Sequence, residues 1–303
     1  MAEREVRWQS AERVRLDFLV RRLDDIARVR ELLRPRIEYT AYALGQLEPG
    51  LIERARWFQS VGNTGTALVL HSRGGLGEAT FVMGDPDAVS AILSIHPGPS
   101  HTYATCQPQH LTGFKSLFRL STQQTMIRMS VTPSQFQPSD GVPVVQLSGL
   151  DIRRINSLYS TEGGPSYYIP EHIDNGVYRG VIVEGRLVAV AGTHVVSRQE
   201  GVAVVGNVFT HPDYRGRGYA RAVTSAVTQH LLQYCEHVVL TVDPTNRPAV
   251  AAYDRLGYRE VCRLVEASAA RKDFTGGAAA VRRARAAVRG RGYDGSFVTI
   301  RAR

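Results

Sequence analysis

Residues 210–222, THPDYRGRGYARA, decide how this chain is read. They follow an apolar run, VAVVGNVF (202–209), and precede a segment in which Val223, Ala226, Val227, His230 and Leu231 recur at helical spacing. A helix begins with N–H groups that lack partners and with a partial positive charge, which proteins commonly balance with Asp or Glu. Here Arg215, Arg217 and Arg221 crowd that end, and no acid stands in the first turn. An anion arriving from outside is therefore expected. Gly216 and Gly218 let the backbone approach a bulky group, and the N–H groups of Arg217, Gly218, Tyr219 and Ala220 at the helix mouth suit a pyrophosphate. Two familiar phosphate motifs are excluded. A dinucleotide fingerprint beginning at Gly216 would need Gly or Ala at 221, which is Arg, and the Gly-Lys-Ser/Thr of a P-loop is absent.

Composition bounds the rest. The 303 residues suffice for one large domain or two ordinary ones, and 43% apolar content is enough to bury a core. No apolar run reaches the length of a membrane span, and the start, MAEREVRWQSAERVRLDF, is charged where a signal peptide is apolar. Cys106, Cys235 and Cys262 have neither metal nor redox spacing, so reduced thiols, a cytoplasmic location and no metal centre are expected. The net charge of +9 suggests nucleic acid, but its distribution does not. Residues 262–303 hold ten Lys or Arg against three acids, so the body of the chain is nearly neutral.

Along the chain, Leu16, Leu19, Leu23, Ile26, Val29 and Leu33 form a helical stripe, and the first ~50 residues read as helix. Short β-rich runs follow, GTALVLHS, ATFVMG, HTYATCQ and QQTMIRMSVTP, with helical stretches DPDAVSAILSI (capped by Asp85 or Asp87) and QHLTGFKSLF between them. PSQFQPSDG (133–141) reads as a linker. After it come a strand (VPVVQLSG), a helix capped by Ser148 or Asp151, a loop (162–176), and two strands turning at Glu184-Gly185. A third strand, the opening stretch with its helix, the strand HVVLTV, a short helix ending at Gly257, and a last strand REVCRLVEA complete the series. The divisions are thus 1–132, a helical N-terminus plus an α/β unit; 133–141, a linker; 142–265, a second α/β domain; and 266–303, a basic Ala/Arg/Gly-rich tail expected to be flexible.

The pattern Arg-x-x-Gly-x-Ala at Arg215, Gly218 and Ala220, after a strand and opening a helix, is followed by DPTNRPAVAAYDRLGYREV (243–261). Together these resemble the GNAT superfamily of N-acetyltransferases over roughly residues 143–265. The resemblance implies an α/β (α+β) fold, a mixed and mostly antiparallel sheet flanked by helices. It implies acetyl-CoA as acyl donor and a primary amine as acceptor, with direct transfer and no covalent intermediate. It places the CoA pyrophosphate on the amides of Arg217–Ala220 beside Arg215 and Gly216, and the pantetheine arm along Val208 and Phe209. Asn246 corresponds to a side chain that contacts the pantetheine, and Tyr253 to the acid that protonates the departing thiolate. Residues 51–132 share the strand and helix texture without these motifs, as a degenerate second copy of the same fold would.

A base for the amine is harder to place, because the strand 202–209 carries no carboxylate where relatives often have Glu. Glu162 is the candidate base, with Glu171, His194, His211 and a chain of waters as alternatives. Tyr167 and Tyr168 are candidate pocket walls. Two rival functions follow from the same residues. One is a CoA-binding regulatory module without turnover; the other is a polyanion-binding protein acting through VRRARAAVRGRG (281–292).

Overall fold

The computed structural model describes residues 17–74, 77–163, 167–273, 275, 277–288 and 297–301. The first half runs β1 (Asp17–Arg22), α1 (Ile26–Leu33), α2 (Ile37–Gly45), β2 (Ala55–Gly62), β3 (Thr66–Gly74), β4 (Gly77–Gly84), α3 (Pro86–Ile95), β5 (His101–Cys106), α4 (Leu111–Leu117) and β6 (Phe118–Val131). The second runs β7 (Val145–Gln146), α5 (Ile152–Ser160), α6 (Pro170–Asp174), β8 (Arg179–Val183), β9 (Arg186–Ser197), β10 (Val202–Thr210), α7 (Tyr219–Leu231), β11 (His237–Val242), α8 (Arg247–Arg255) and β12 (Arg259–Arg271), and α9 (Gly277–Val288) and β13 (Phe297–Arg301) close the chain. All the strands join one mixed, mostly antiparallel sheet in the order β13-β1-β2-β3-β4-β5-β12-β6-β11-β10-β9-β8-β7.

That order contains an exchange. The first half lays out β1 to β5 in sequence, and the second lays out β7 to β11 in sequence from the opposite edge. Each series has one parallel pair, β4 with β5 and β10 with β11. Beyond β5 comes β12 from the second half, and beyond β11 comes β6 from the first. The two exchanged strands also pair with each other, from Arg259↔Ser130 to Arg271↔Phe118. The connection 133–141 is accordingly no loose linker: Phe136 packs into the core around α7, and Gln137 N–H donates to Leu256 C=O (3.1 Å).

Both faces of the sheet are covered, which is why β3 and β11 read as near-continuous apolar runs. On one face α7 and α8 enclose Ile127, Met129, Ala203, Val205, Val238 and Leu240. On the other, α1 and α2 pack over strands of both halves, joining Leu33 and Leu44 to Val204, Val239 and Leu264. A buried carboxylate ties the halves together there, Glu200 accepting from Arg30 (2.8 Å) and Arg34 (3.2 Å).

Three expectations are corrected. Residues 17–22 form an edge-side strand rather than the start of a helix: Phe18 and Val20 are buried while Leu19 is exposed, a period of two, and the helix starts only after Asp25, whose carboxylate caps it. Residues 1–16, including Leu16, lie outside the described residues. The loop 162–176 holds a single helical turn, α6, with Pro170 at its first position. The segment from 266 onward is not a free tail within the described residues. It completes β12, forms α9 and returns as β13 against β1. Arg282 and Arg283 donate to the carbonyls of Ser94 and Ile95 (2.6 Å each), the exposed C-terminal end of α3, where a cation is favoured.

His71, on β3, is buried and held neutral. Its Nε2–H donates to His96 C=O (3.0 Å), Thr80 hydroxyl faces Nδ1 (2.9 Å), and burial lowers its pKa from 6.5 to about 4. Between those values the unfolded chain binds a proton that the folded chain refuses, so stability is full above pH 6.5 and declines as pH falls toward 4. The expected loss at pH 5 from this one group is about 2 kcal/mol. Urea denaturation at pH 7 and pH 5 checks this, with His71→Gln expected to flatten the dependence; an equally steep His71→Gln would refute it.

Candidate active site

The helix α7 begins at Gly218, whose φ of +79° is left-handed, as is that of Gly216 at +75°. No side chain caps this end, no acid stands in its first turn, and a Cβ at either glycine would meet nothing within 4 Å. The N–H groups therefore face open space. Around them lies a cleft of about 900 Å³ lined by Val208, Phe209, Arg215–Arg221, Asn246 and Tyr253, among others. The corresponding helix of the first half, α3, is built the opposite way. Asp85 caps it by accepting from Ala88 N–H (2.9 Å), and Asp87 adds charge in its first turn. A carboxylate already fills the place where an external anion would bind.

The sheet opens beside this cleft. β10 and β11 pair in parallel only from Val202↔His237 to Val205↔Leu240, although both strands continue. At the same point β10 bulges away from its register with β9 between Gly206 and Phe209, and Asn207 takes a left-handed φ of +54°. A non-glycine residue holds such a conformation only where its surroundings over-determine it. Here three tyrosines do so. Tyr159 donates to Asn207 C=O (2.5 Å), Tyr168 donates to its Oδ1 (2.9 Å), and its Nδ2 donates to the Tyr178 hydroxyl (2.8 Å). Burial raises the pKa of all three phenols, that of Tyr178 to about 12, so they remain proton donors at neutral pH. Sequence reasoning missed Tyr159 and Tyr178; Asn207 as the single polar residue in an apolar strand was the available signal. Tyr168 is buried as a wall should be, whereas Tyr167 is 70% exposed.

Asn246 caps α8, its Oδ1 accepting from Ala249 N–H (3.2 Å), and the residue lines the cleft. Tyr253, two turns further, is buried except where it lines the cleft, and burial pushes its pKa up to about 12. Among the described residues its hydroxyl has no hydrogen-bond partner.

The candidate bases are not equivalent. The Glu162 carboxylate is taken by an ion pair with Arg215. His211 is buried as the cap of a short 3₁₀ turn, with its Nε2 2.6 Å from Arg186. Glu171 lies in the first turn of α6 and does not line the cleft. His194, on β9, stands beside the bulge: a Cβ on Gly206 would collide with its ring. The residue keeps solvent exposure, yet desolvation by the surrounding protein, with the neighbouring Arg128 second, lowers its pKa to about 4.

Residues 150–258 match the model of the family described as acetyltransferase (GNAT). No curated protein matches the chain. Among solved structures, a GNAT-family protein from Novosphingobium aromaticivorans is 19% identical with a TM-score of 0.53, and the match covers 80% of this chain and 98% of that one. A Drosophila protein is 12% identical with a TM-score of 0.59, over 82% and 97% of the two chains. A GCN5-related N-acetyltransferase from Kribbella flavida is 16% identical with a TM-score of 0.51, over 77% and 95%. At these identities the likeness concerns the fold. It extends over both halves, since the shared length exceeds residues 150–258.

Proposed function

We propose, from the match of residues 150–258 to the GNAT acetyltransferase family model, that the protein transfers an acyl group, acetyl foremost, from acyl-CoA to a primary amine by direct attack. The observation that carries this reading is the uncapped, acid-free start of α7 opening into a cleft whose far side is Tyr253. The amides of Arg217–Ala220 hold the pyrophosphate, and Gly216 and Gly218 keep the cradle free of side chains. Val208 and Phe209 offer strand edge to the pantetheine where β10 and β11 part. Asn246 Nδ2 orients the arm, and backbone N–H at the bulge stabilises the oxyanion of the tetrahedral adduct. Tyr253 keeps its proton until the thiolate leaves. His194, neutral at pH 7 and beside the bulge, takes the proton of the attacking nitrogen in place of Glu162. The first half, its helix already capped by Asp85, serves as wall and support rather than as a second CoA site. Cytoplasmic acetyl-CoA is the donor pool this reading requires.

A CoA-binding module without turnover is favoured by one observation, the commitment of Glu162 to Arg215. The donor site is tested by melting with and without acetyl-CoA. Ligand at a hundredfold over its dissociation constant adds about 2.7 kcal/mol, several degrees for a protein of this size. Gly218→Glu places charge and bulk in the cradle and abolishes the shift. Gly218→Ala carries the same left-handed strain without the charge and retains part of it. A folded wild type that does not respond would make the loop a simple turn.

A further inference from the structure

Arg128 lies on β6, the strand the first half inserts into the second, with Thr241 of β11 on one side and Cys262 of β12 on the other. Its side chain points to the face covered by α2, with Ser130 and Met126 along the same strand face. It is 3% exposed, and both Nε and Nη1 are shut off from solvent with no hydrogen-bond partner. Among the described residues nothing accepts from this guanidinium and no carboxylate pairs with it. Glu266 helps only from a distance, since its carboxylate accepts from the Tyr103 hydroxyl (2.9 Å).

Such a residue is costly. A guanidinium stays charged in any protein environment, and a buried charge without partners destabilises by several kcal/mol. Buried polar groups are nearly always satisfied, so an exception calls for an explanation in function. Position supplies one. Arg128 pairs with Thr241, the residue after Leu240, and Leu240 is the last of β11 to pair with β10, at Val205 beside the Gly206 bulge; two strand spacings put that bulge at least about 10 Å away. His194 stands over that bulge, and burial foremost, with the nearby Arg128 charge second, lowers its pKa. An unpaired planar cation thus stands close to His194 and to the point where β10 and β11 part.

We infer that Arg128 is the acceptor-specificity residue: the amine that this protein acylates carries a carboxylate, which Arg128 receives through its paired N–H donors. This rests on the acyltransfer reading above and narrows its acceptor. The guanidinium fork matches a carboxylate in two parallel hydrogen bonds, which a lone ammonium cannot do. The side chain spans part of the ~10 Å, so amine and carboxylate stand only a few bonds apart, as in an amino acid or a short ω-amino acid. Because Arg128 comes from the exchanged strand, the first half contributes to acceptor recognition although it lacks a cofactor cradle.

The test is a binding comparison that needs no turnover. The full chain, with and without CoA, is melted with the twenty common amino acids, β-alanine and γ-aminobutyrate, each beside its methyl ester. The wild type is expected to bind at least one acid tenfold or more tightly than its ester. Arg128→Met is expected to lose that preference while melting, without ligand, no lower than the wild type, since a lone buried charge has been removed. Arg128→Lys keeps stem and charge but not the fork; it carries the comparison if the methionine variant fails to fold, and a tenfold loss of preference is again expected. No acid favoured over its ester in the wild type overturns the inference. So does a preference that survives in both variants. The acetyl-CoA shift, measured on the same samples, reports the donor site separately, so an error in the acceptor and an error in the acyltransfer reading give different results.

Discussion

Cut at the 133–141 connection, neither half is expected to fold alone. The first fragment loses β12, which lies between β5 and β6, and with it Val265 and Ala269 of the core around α3. The second loses β6, and Ile127, Met129 and Val131 vanish from the core beneath α7. It also loses α1 and α2 from its other face, leaving Val204 and Val239 uncovered and Glu200 without Arg30 and Arg34. Removing one large aliphatic side chain from a core costs about 2–5 kcal/mol, and a domain's whole stability is about 5–15 kcal/mol. Several losses at once exceed it. Circular dichroism melts of fragments 1–141 and 142–303 should therefore show no cooperative transition, while co-expression of the two restores one. A soluble second fragment that melts cooperatively and still responds to acetyl-CoA would show the exchange to be dispensable.

Tyr253→Phe should lower kcat by about 10²–10⁴ with the affinity for acetyl-CoA unchanged. The ring fills the same space among Leu256 and Tyr258, and the lost hydroxyl has no hydrogen-bond partner among the described residues, so stability should barely move. The effect must then appear in the chemical step. Thermal shift gives binding, and release of free CoA thiol in the presence of a panel of amines gives turnover. Unchanged turnover in Tyr253→Phe would pass the proton donor's role to water or to another phenol. Equal loss of binding and turnover would make the tyrosine a packing residue.

The local grammar of the chain was largely open to reading. A left-handed glycine before an acid-free helix needs no tertiary contact to be recognised, because the requirement lies in the N–H groups of residues 217–220 themselves. Asp85, the Glu184-Gly185 turn and Gly257 belong to the same class, each a backbone demand met by a neighbouring residue. Where local signals conflicted, the reading failed. Leu19 and Leu23 fit a helical stripe, yet Phe18, Leu19 and Val20 alternate, and pairing with β2 settled the matter in favour of a strand. Arg271, Arg282 and Arg283 resembled parts of a solvated tail because their partners, the carbonyls of Gly98, Ser94 and Ile95, lie more than 170 residues earlier.

Acceptor recognition belongs to the same long-range class. Nothing around Arg128 in MIRMSV distinguishes a buried cation from an edge-strand one. Glu162 looked like a free carboxylate until the fold set Arg215 against it, and His194 looked like core until the fold left it exposed over Gly206. The sequence alone determined that one helix start in this chain would stand uncapped and free of acid, since that follows from adjacent residues. Which strands would trade places, and therefore which cation would stand unpaired beside the site, followed only from burying both faces of one sheet built by two halves.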